Sequence, residues 1–267
     1  MTRTMRRWLA LTGLIVAGVL LAGPAGAQSA REILDKQSQL HRVSDETETL
    51  KITMVNKNGE TKEREVVRYT MSGSDNQSKI LIRFTSPRDV DGTGMLTWTK
   101  ADGNDDQWLY LPAMRKVKRI ASSGKKNRFM GTDFAYEDMR PESLQANTYS
   151  LGDNEVVDGA DCWVIEAVPV NDTYAAATGY SKRKMWIRMD NHVTVKREYY
   201  DKPGKLEKVQ EDRKFSVATG TAWRSDEVEM LDVQAGTKTT FSIISRTVEK
   251  GLGEGQFTLA ELEEGGE

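Results

Sequence analysis

Two histidines, His41 and His192, are the only imidazoles in the 267-residue chain. Neither stands at metal-ligand spacing from another histidine or from the cysteine, so the pattern offers no zinc site. A nucleophilic triad would have to recruit one of them, yet the sequence has no Gly-x-Ser-x-Gly elbow and no Walker loop. The expectation is a chain without catalytic residues, metal or cofactor. Acids are numerous, which leaves a glycosidase-type carboxylate pair open as a hydrolase reading. Cys162 is the single cysteine. Set among Trp163, Val164 and Ile165 it reads as a small buried hydrophobe, and a chain with one cysteine folds without an internal disulfide.

The side chains that invite a function are concentrated elsewhere. Arg115, Lys116, Lys118, Arg119, Lys125, Lys126 and Arg128 crowd one stretch of a chain that has 38 basic and 40 acidic residues in all. Such a stretch suits docking to anionic phospholipid headgroups or to an acidic face of an inner-membrane partner. On an edge strand the same lysines deter aggregation. Directly after it comes Phe129-Met130-Gly131-Thr132-Asp133-Phe134-Ala135-Tyr136-Glu137-Asp138-Met139, too apolar to be a simple connector. Trp98, Trp108, Met130, Phe134, Tyr136, Met139, Trp163 and Trp186 are the candidates to line an apolar cavity. Each is also an ordinary core residue by type, but methionine's flexible thioether suits varied acyl chains. The negative balance elsewhere argues against nucleic acid.

The elements that must position these residues are mostly strands. Leu50, Ile52 and Met54 alternate with polar neighbours, as do Ile80, Ile82 and Phe84, then Met185, Ile187 and Met189, then Phe241 and Ile243. Turn clusters such as 56–59, 72–76, 102–104, 158–159, 202–204 and 235–236 separate them. Regular short strands joined by hairpins predict an antiparallel meander, a large curved sheet or open barrel of roughly ten strands. Helix is scarce. Ser29 with Glu32 has capping-box spacing and predicts a helix to about Leu40, with Ile33, Leu34 and Gln37 on the face that packs into the sheet's concavity. A second helix is predicted from Thr132 to about Leu144, broken by Pro141. The tail around Thr258–Leu262 predicts a last turn before a frayed end.

Residues 1–27 combine Arg3, Arg6 and Arg7, an apolar run from Trp8 to Ala22 and the small residues Ala25 and Ala27. This is the pattern of a secretory leader cleaved after Ala27. It predicts a periplasmic chain whose residues 28–267 form one domain. Nothing after residue 27 is apolar enough to span a bilayer as a helix. A transmembrane barrel is disfavoured by Lys51, Lys79, Arg83, Arg188 and Lys196 near strand centres on the expected outer faces.

The run from Gln107 to Ile120, with its Trp108-x-Tyr110-x-Pro112 pattern and basic tail, followed by Phe129 to Met139, resembles the exported LolA-like family of outer-membrane lipoprotein-sorting proteins. Phe84-Thr85-Ser86-Pro87, Gly92-Thr93-Gly94 and the Arg183-x-Met185-Trp186-Ile187 strand agree with it. The resemblance implies an incomplete, half-open antiparallel barrel with helices over its apolar mouth. It implies a periplasmic carrier of lipid or lipoprotein acyl chains, with an inner-membrane lipid exporter as its partner. The alternative it leaves open is an accessory subunit of such an exporter with no carrier activity of its own. The lid-closing arginine of the better-known lipoprotein carrier has no matching position here.

Overall fold

The computed structural model describes residues 28–73, 77–103 and 105–265. The expected leader lies outside them, as do parts of two expected turns. Helix α1 (Ala30–Leu40) starts on the predicted capping box: Ser29 Oγ accepts from the Glu32 amide at 3.2 Å, and the Glu32 carboxylate accepts from the Ser29 amide at 2.7 Å. Then come β1 (Asp45–Val55), β2 (Thr61–Ser72), β3 (Ser78–Ser86), β4 (Gly94–Trp98), β5 (Asp106–Leu111) and β6 (Lys116–Arg119). After a long non-strand segment follow β7 (Asn147–Leu151), β8 (Glu155–Val157), β9 (Ala160–Pro169), α2 (Asp172–Thr178) and β10 (Tyr180–Arg188). The chain continues through β11 (Thr194–Asp201), β12 (Leu206–Thr219), β13 (Ala222–Asp232), β14 (Thr237–Val248) and α3 (Leu259–Glu264).

All strands join one antiparallel sheet of 14, ordered β6-β5-β4-β3-β2-β1-β14-β13-β12-β11-β10-β9-β7, with β8 beside β9. The sheet is open, because β6 and β7 end it without pairing to each other. The strands beyond the expected ten are short ones whose alternation is too brief to register. Register shifts at Thr49/Leu50, Glu65/Val66 and Trp186/Ile187 interrupt the ladders, and such bulges bend and twist a strand. The curvature brings β3 and β4 into one apolar cluster with β10, β11, β13 and β14, through Phe84, Met95, Tyr180, Tyr199, Met230 and Phe241. This is the concave face. The predicted packing of α1 there is observed: Ile33 and Leu34 sit against Ile165, Ala167, Met185 and Ile187.

The opposite, convex face is covered where β3, β4 and β5 present Leu81, Leu96 and Tyr110. Its cover is the C-terminal tail, which is ordered onto the sheet instead of frayed. Thr258 caps α3 through the Glu261 amide, and Phe257 and Leu262 fill the cluster with no exposed surface. Arg83, expected at an outer surface, is buried beneath the tail, where its guanidinium donates to the carbonyls of Gly92, Glu261 and Leu262. A side chain at Gly94 would approach Leu262 Cδ1 to 2.7 Å, so the tail's close approach requires glycine there.

One ladder stops short. β13 and β14 pair from Asp232/Thr237 as far as Glu227/Ser242 and then part. Beyond that point β14 continues on β1 and β13 continues on β12. The gap forms a groove of about 380 Å³ beside Val217 and Ile244, which are 52% and 56% exposed. Arg246 spans it, donating to Asp226 Oδ1, the Ser225 carbonyl and Glu48 Oε1. Among the described residues no helix is long and apolar enough to cross a membrane.

Truncating Phe257 to alanine should remove the centre of the convex cover. The expected loss is about 3–5 kcal/mol of unfolding free energy, read as a lower urea midpoint. An unchanged midpoint would mean that the tail contributes no packing.

Candidate functional site

The concave face is shared between a plug and a cavity. The plug is the segment between β6 and β7. The helix predicted over Thr132–Leu144 is not there. Instead the segment makes tight turns at Phe129–Gly131 and Tyr136–Met139. Aspartate side chains compete with helical hydrogen bonding, and here they are committed to other strands. Asp133 accepts from Thr237 Oγ1 at 2.5 Å and Thr239 Oγ1 at 2.7 Å, and pairs with Arg128 at 2.8 Å. Asp138 accepts from the Ala135 amide at 2.7 Å and from the Tyr180 hydroxyl at 2.9 Å. Below them Arg140 is buried between Asp105, at 3.2 Å, and Glu137. Burial raises the Asp105 carboxyl and lowers the Lys125 ammonium.

The eight predicted cavity residues are not brought together. Phe129 and Phe134 fill the concave cluster, with Met130, Tyr136 and Met139 packed against it. Phe134 stacks on Phe241 at 4.4 Å. Trp98 and Trp108 are on the convex face, edge to face at 5.0 Å, and Trp98 Nε1 donates to the Phe257 carbonyl. Trp186 is also on the convex side, packed with Cys162 and Val164 and donating to Glu155. Cys162 is buried and free, as its sequence setting indicates. Trp163 lies in the cluster under α1, 5.0 Å from the His192 ring. Alternation identifies which residues share a face but not which face is concave, so it does not separate the tryptophans from the plug.

A cavity of about 500 Å³ lies between α1 and the sheet, and none of those eight residues lines it. Its apolar wall comes from Leu34, Leu144, Val193, Phe215 and Trp223. Its charged wall holds Arg42, Arg68, Arg197 and Arg224 with Glu142 and Asp212. Behind that wall runs an ionic row: Glu48 between Arg68 and Arg246, and Glu46 between Arg224 and Arg246. Burial alone would raise the Glu48 carboxyl, but the two guanidiniums outweigh it and hold the group below the usual range. Burial lowers the pKa of His41 at the cavity rim, and its Nδ1 accepts from the Trp223 amide at 3.2 Å. Sequence reasoning missed these residues. A signal existed at Arg68, which sits in phase with Val66 on β2 and so had to turn its charge inward.

The basic stretch divides. Arg115, Lys116, Lys118 and Arg119 are exposed on or next to the edge strand β6, and Lys126 is exposed beside Gly179. Lys125 is only 6% exposed and donates to the Asp105 carbonyl at 2.8 Å, so the structure removes it from the docking set. Arg128 is spent on Asp133 and Asp232. Arg119 pairs with Asp106. Among the described residues no group of three or more His, Cys, Asp or Glu is placed to hold a metal.

A family model described only as an uncharacterized protein matches residues 76–264. Among solved structures, the chain is similar to a domain named as an outer membrane lipoprotein-sorting protein, from Vibrio parahaemolyticus. The TM-score is 0.83 at 29% identity, over 87% of this chain and 97% of that one. A DUF1329 family protein from Desulfovibrio piger gives 0.80 at 27% identity, again over 87% and 97%. A LolA superfamily protein from Nitrosomonas europaea gives 0.69 at 20% identity over 88% and 100%, a likeness of fold. No curated protein matches the chain.

The ionic row makes the protein acid-sensitive. A carboxyl held low in the folded state stabilises fully above its unfolded value, and that contribution is lost as pH falls through the folded value. Stability should therefore drop as pH falls below about 4. Glu48→Gln should cost about 1–3 kcal/mol at pH 7 by taking the carboxylate from Arg68 while Arg246 keeps Glu46 and Asp226, with a shallower acid limb, measured by denaturant titration across pH. Phe134→Ala should cost about 3–5 kcal/mol as a core truncation, visible in the same titration.

Proposed function

Because the chain belongs to the family of uncharacterized proteins matched over residues 76–264 and has the LolA-like, outer-membrane lipoprotein-sorting fold, we propose that it is a periplasmic carrier of lipid or lipoprotein acyl chains. The observation that supports this most is the cavity of about 500 Å³ under α1, within the range of about 300–1,000 Å³ typical of small-molecule sites. The leader-like residues 1–27 support export to the periplasm. The reading is of a binding protein, with no step of chemistry assigned to it.

The cover of the cavity suits a carrier. Burying a dozen methylenes is worth on the order of 10 kcal/mol at about 0.8 kcal/mol each, more than a shuttle can hold and still release. Helix α1 has only 11 residues, short of the roughly 12–15 that an isolated helix needs. It stays in place through Ile33, Leu34 and the Gln37 amide, which donates to the His192 carbonyl at 2.6 Å and to Thr194 Oγ1 at 2.9 Å. Displacing it costs part of what chain burial gains, so uptake and release stay near balance.

A second reading, an accessory subunit docking to an inner-membrane exporter or its lipid surroundings, is favoured by the exposed cations on β6. Their bland role is protection of an open edge.

Two measurements test these readings. Thr70 of β2 also lines the cavity, and Thr70→Trp should lower binding of a fluorescent dodecanoyl probe by about tenfold or more, with the β-sheet circular dichroism kept. Undiminished binding would mean that the chain sits elsewhere. Co-sedimentation with anionic vesicles should fall at high salt and in the triple variant Lys116→Gln, Lys118→Gln, Lys126→Gln. Binding indifferent to both would leave β6 as edge protection alone.

A further inference from the structure

We propose that the cavity under α1 selects an amphiphile with an anionic headgroup, and that Arg197 receives that headgroup. The inference rests on the carrier reading above and names its ligand class. Four guanidiniums line the cavity against two carboxylates. Two of the four are committed elsewhere: Arg68 to Glu48, and Arg224 to Glu46 and the His41 carbonyl. One of the two acids is committed as well. Glu142 Oε1 already accepts from Arg183 at 2.9 Å, Tyr149 at 2.8 Å and Asn147 at 2.9 Å.

What is left is an arginine with little to hold. Arg197 makes one hydrogen bond among the described residues, to Asp212 Oδ2 at 3.3 Å, long for a charged pair. The other oxygen of Asp212 accepts from Gln210 Nε2 at 2.6 Å. A guanidinium has five N–H donors in a planar fork that matches phosphate or carboxylate oxygens. Arg197 lines the cavity, and its side chain is 27% exposed. Arg42 adds a second guanidinium at the rim, bonded to the Gly73 carbonyl.

The same space is bordered by Leu34, Leu144, Val193 and Phe215. A free anion would satisfy the cations and leave that wall wet. A neutral chain would cover the wall and leave the cations short of acceptors, which is costly away from bulk water. An anionic amphiphile does both. A zwitterionic headgroup brings its own cation among four arginines and loses part of the gain.

Native mass spectrometry of the purified protein tests this with three probes: dimyristoyl phosphatidylglycerol, dimyristoyl phosphatidylcholine with the same chains, and glycerol 3-phosphate without chains. The expected result is retention of phosphatidylglycerol about tenfold above phosphatidylcholine, with glycerol 3-phosphate not retained. Arg197→Gln should bring the two lipids within about twofold of each other by lowering phosphatidylglycerol only. Because that variant removes the cationic partner of the largely enclosed Asp212, the double variant Arg197→Gln with Asp212→Asn provides a charge-neutral counterpart with the same expected loss of preference. Equal retention of both lipids by the native protein would overturn the headgroup inference and leave the carrier reading standing. Retention of neither would overturn both. Glycerol 3-phosphate held as firmly as phosphatidylglycerol would make this a small-anion site, and a phosphatidylglycerol preference surviving in the double variant would remove Arg197 from the role.

Discussion

An open sheet this wide has two faces and no partner sheet, and the rest of the molecule answers that constraint. Sheets pack stably only when their apolar faces are covered. The three short α-helices among the described residues cannot cover a face of 14 strands. The chain therefore supplies two further covers from irregular segments. The tail seals the convex side of β3, β4 and β5, and the plug fills one end of the concave side. The remaining end, roofed by α1, is where covering stops and a cavity begins.

Irregular segments bring unpaired backbone and polar side chains into the interior, and each must find a partner. This explains why the plug is acidic as well as aromatic. Asp133 and Asp138 fasten it to β14 and β10 through Thr237, Thr239 and Tyr180, and Glu137 with Asp105 neutralises the buried Arg140. The motif that makes the chain resemble its family is thus read most simply as anchorage: aromatic rings fill the concavity, and carboxylates fix them in register. Apolar packing alone tolerates slippage, whereas charged hydrogen bonds specify position. The ionic row of Glu46 and Glu48 does similar work where β1 meets β2 and β14, directly behind the cavity.

Much of this was legible in local pattern. Period-two alternation located β1, β3 and β10, and Ser29 with Glu32 announced the start of α1. These signals span a few residues, so one sequence suffices. The cavity was not legible, because its wall assembles Arg68, Arg197 and Arg224 from strands far apart in sequence. Nor could alternation tell a concave from a convex row, which sent Trp98, Trp108 and Trp186 to the wrong side. The plug misled for a different reason. Its spacing is compatible with a helix, but tertiary bonds to its aspartates outweigh that local preference. Lys125 lies in a run of cations, and only the fold shows that its carbon stem and ammonium are drawn inward to Asp105.

The parting of β13 from β14 has a mechanical consequence. A hydrogen-bonded ladder resists widening because every increment stretches a row of bonds at once. Where the ladder ends at Glu227 and Ser242, that resistance falls to scattered side-chain contacts: Arg246 with Asp226 and Ser225, Arg224 with Glu46, and Thr219 with Glu249. The shell is thus stiff along its length and compliant along one line. A change in the girth of the concavity is cheapest as a swing of the β12–β13 hairpin about its last paired residues, with no strand unzipped, and Arg246 and Arg224 are the clasps that oppose it.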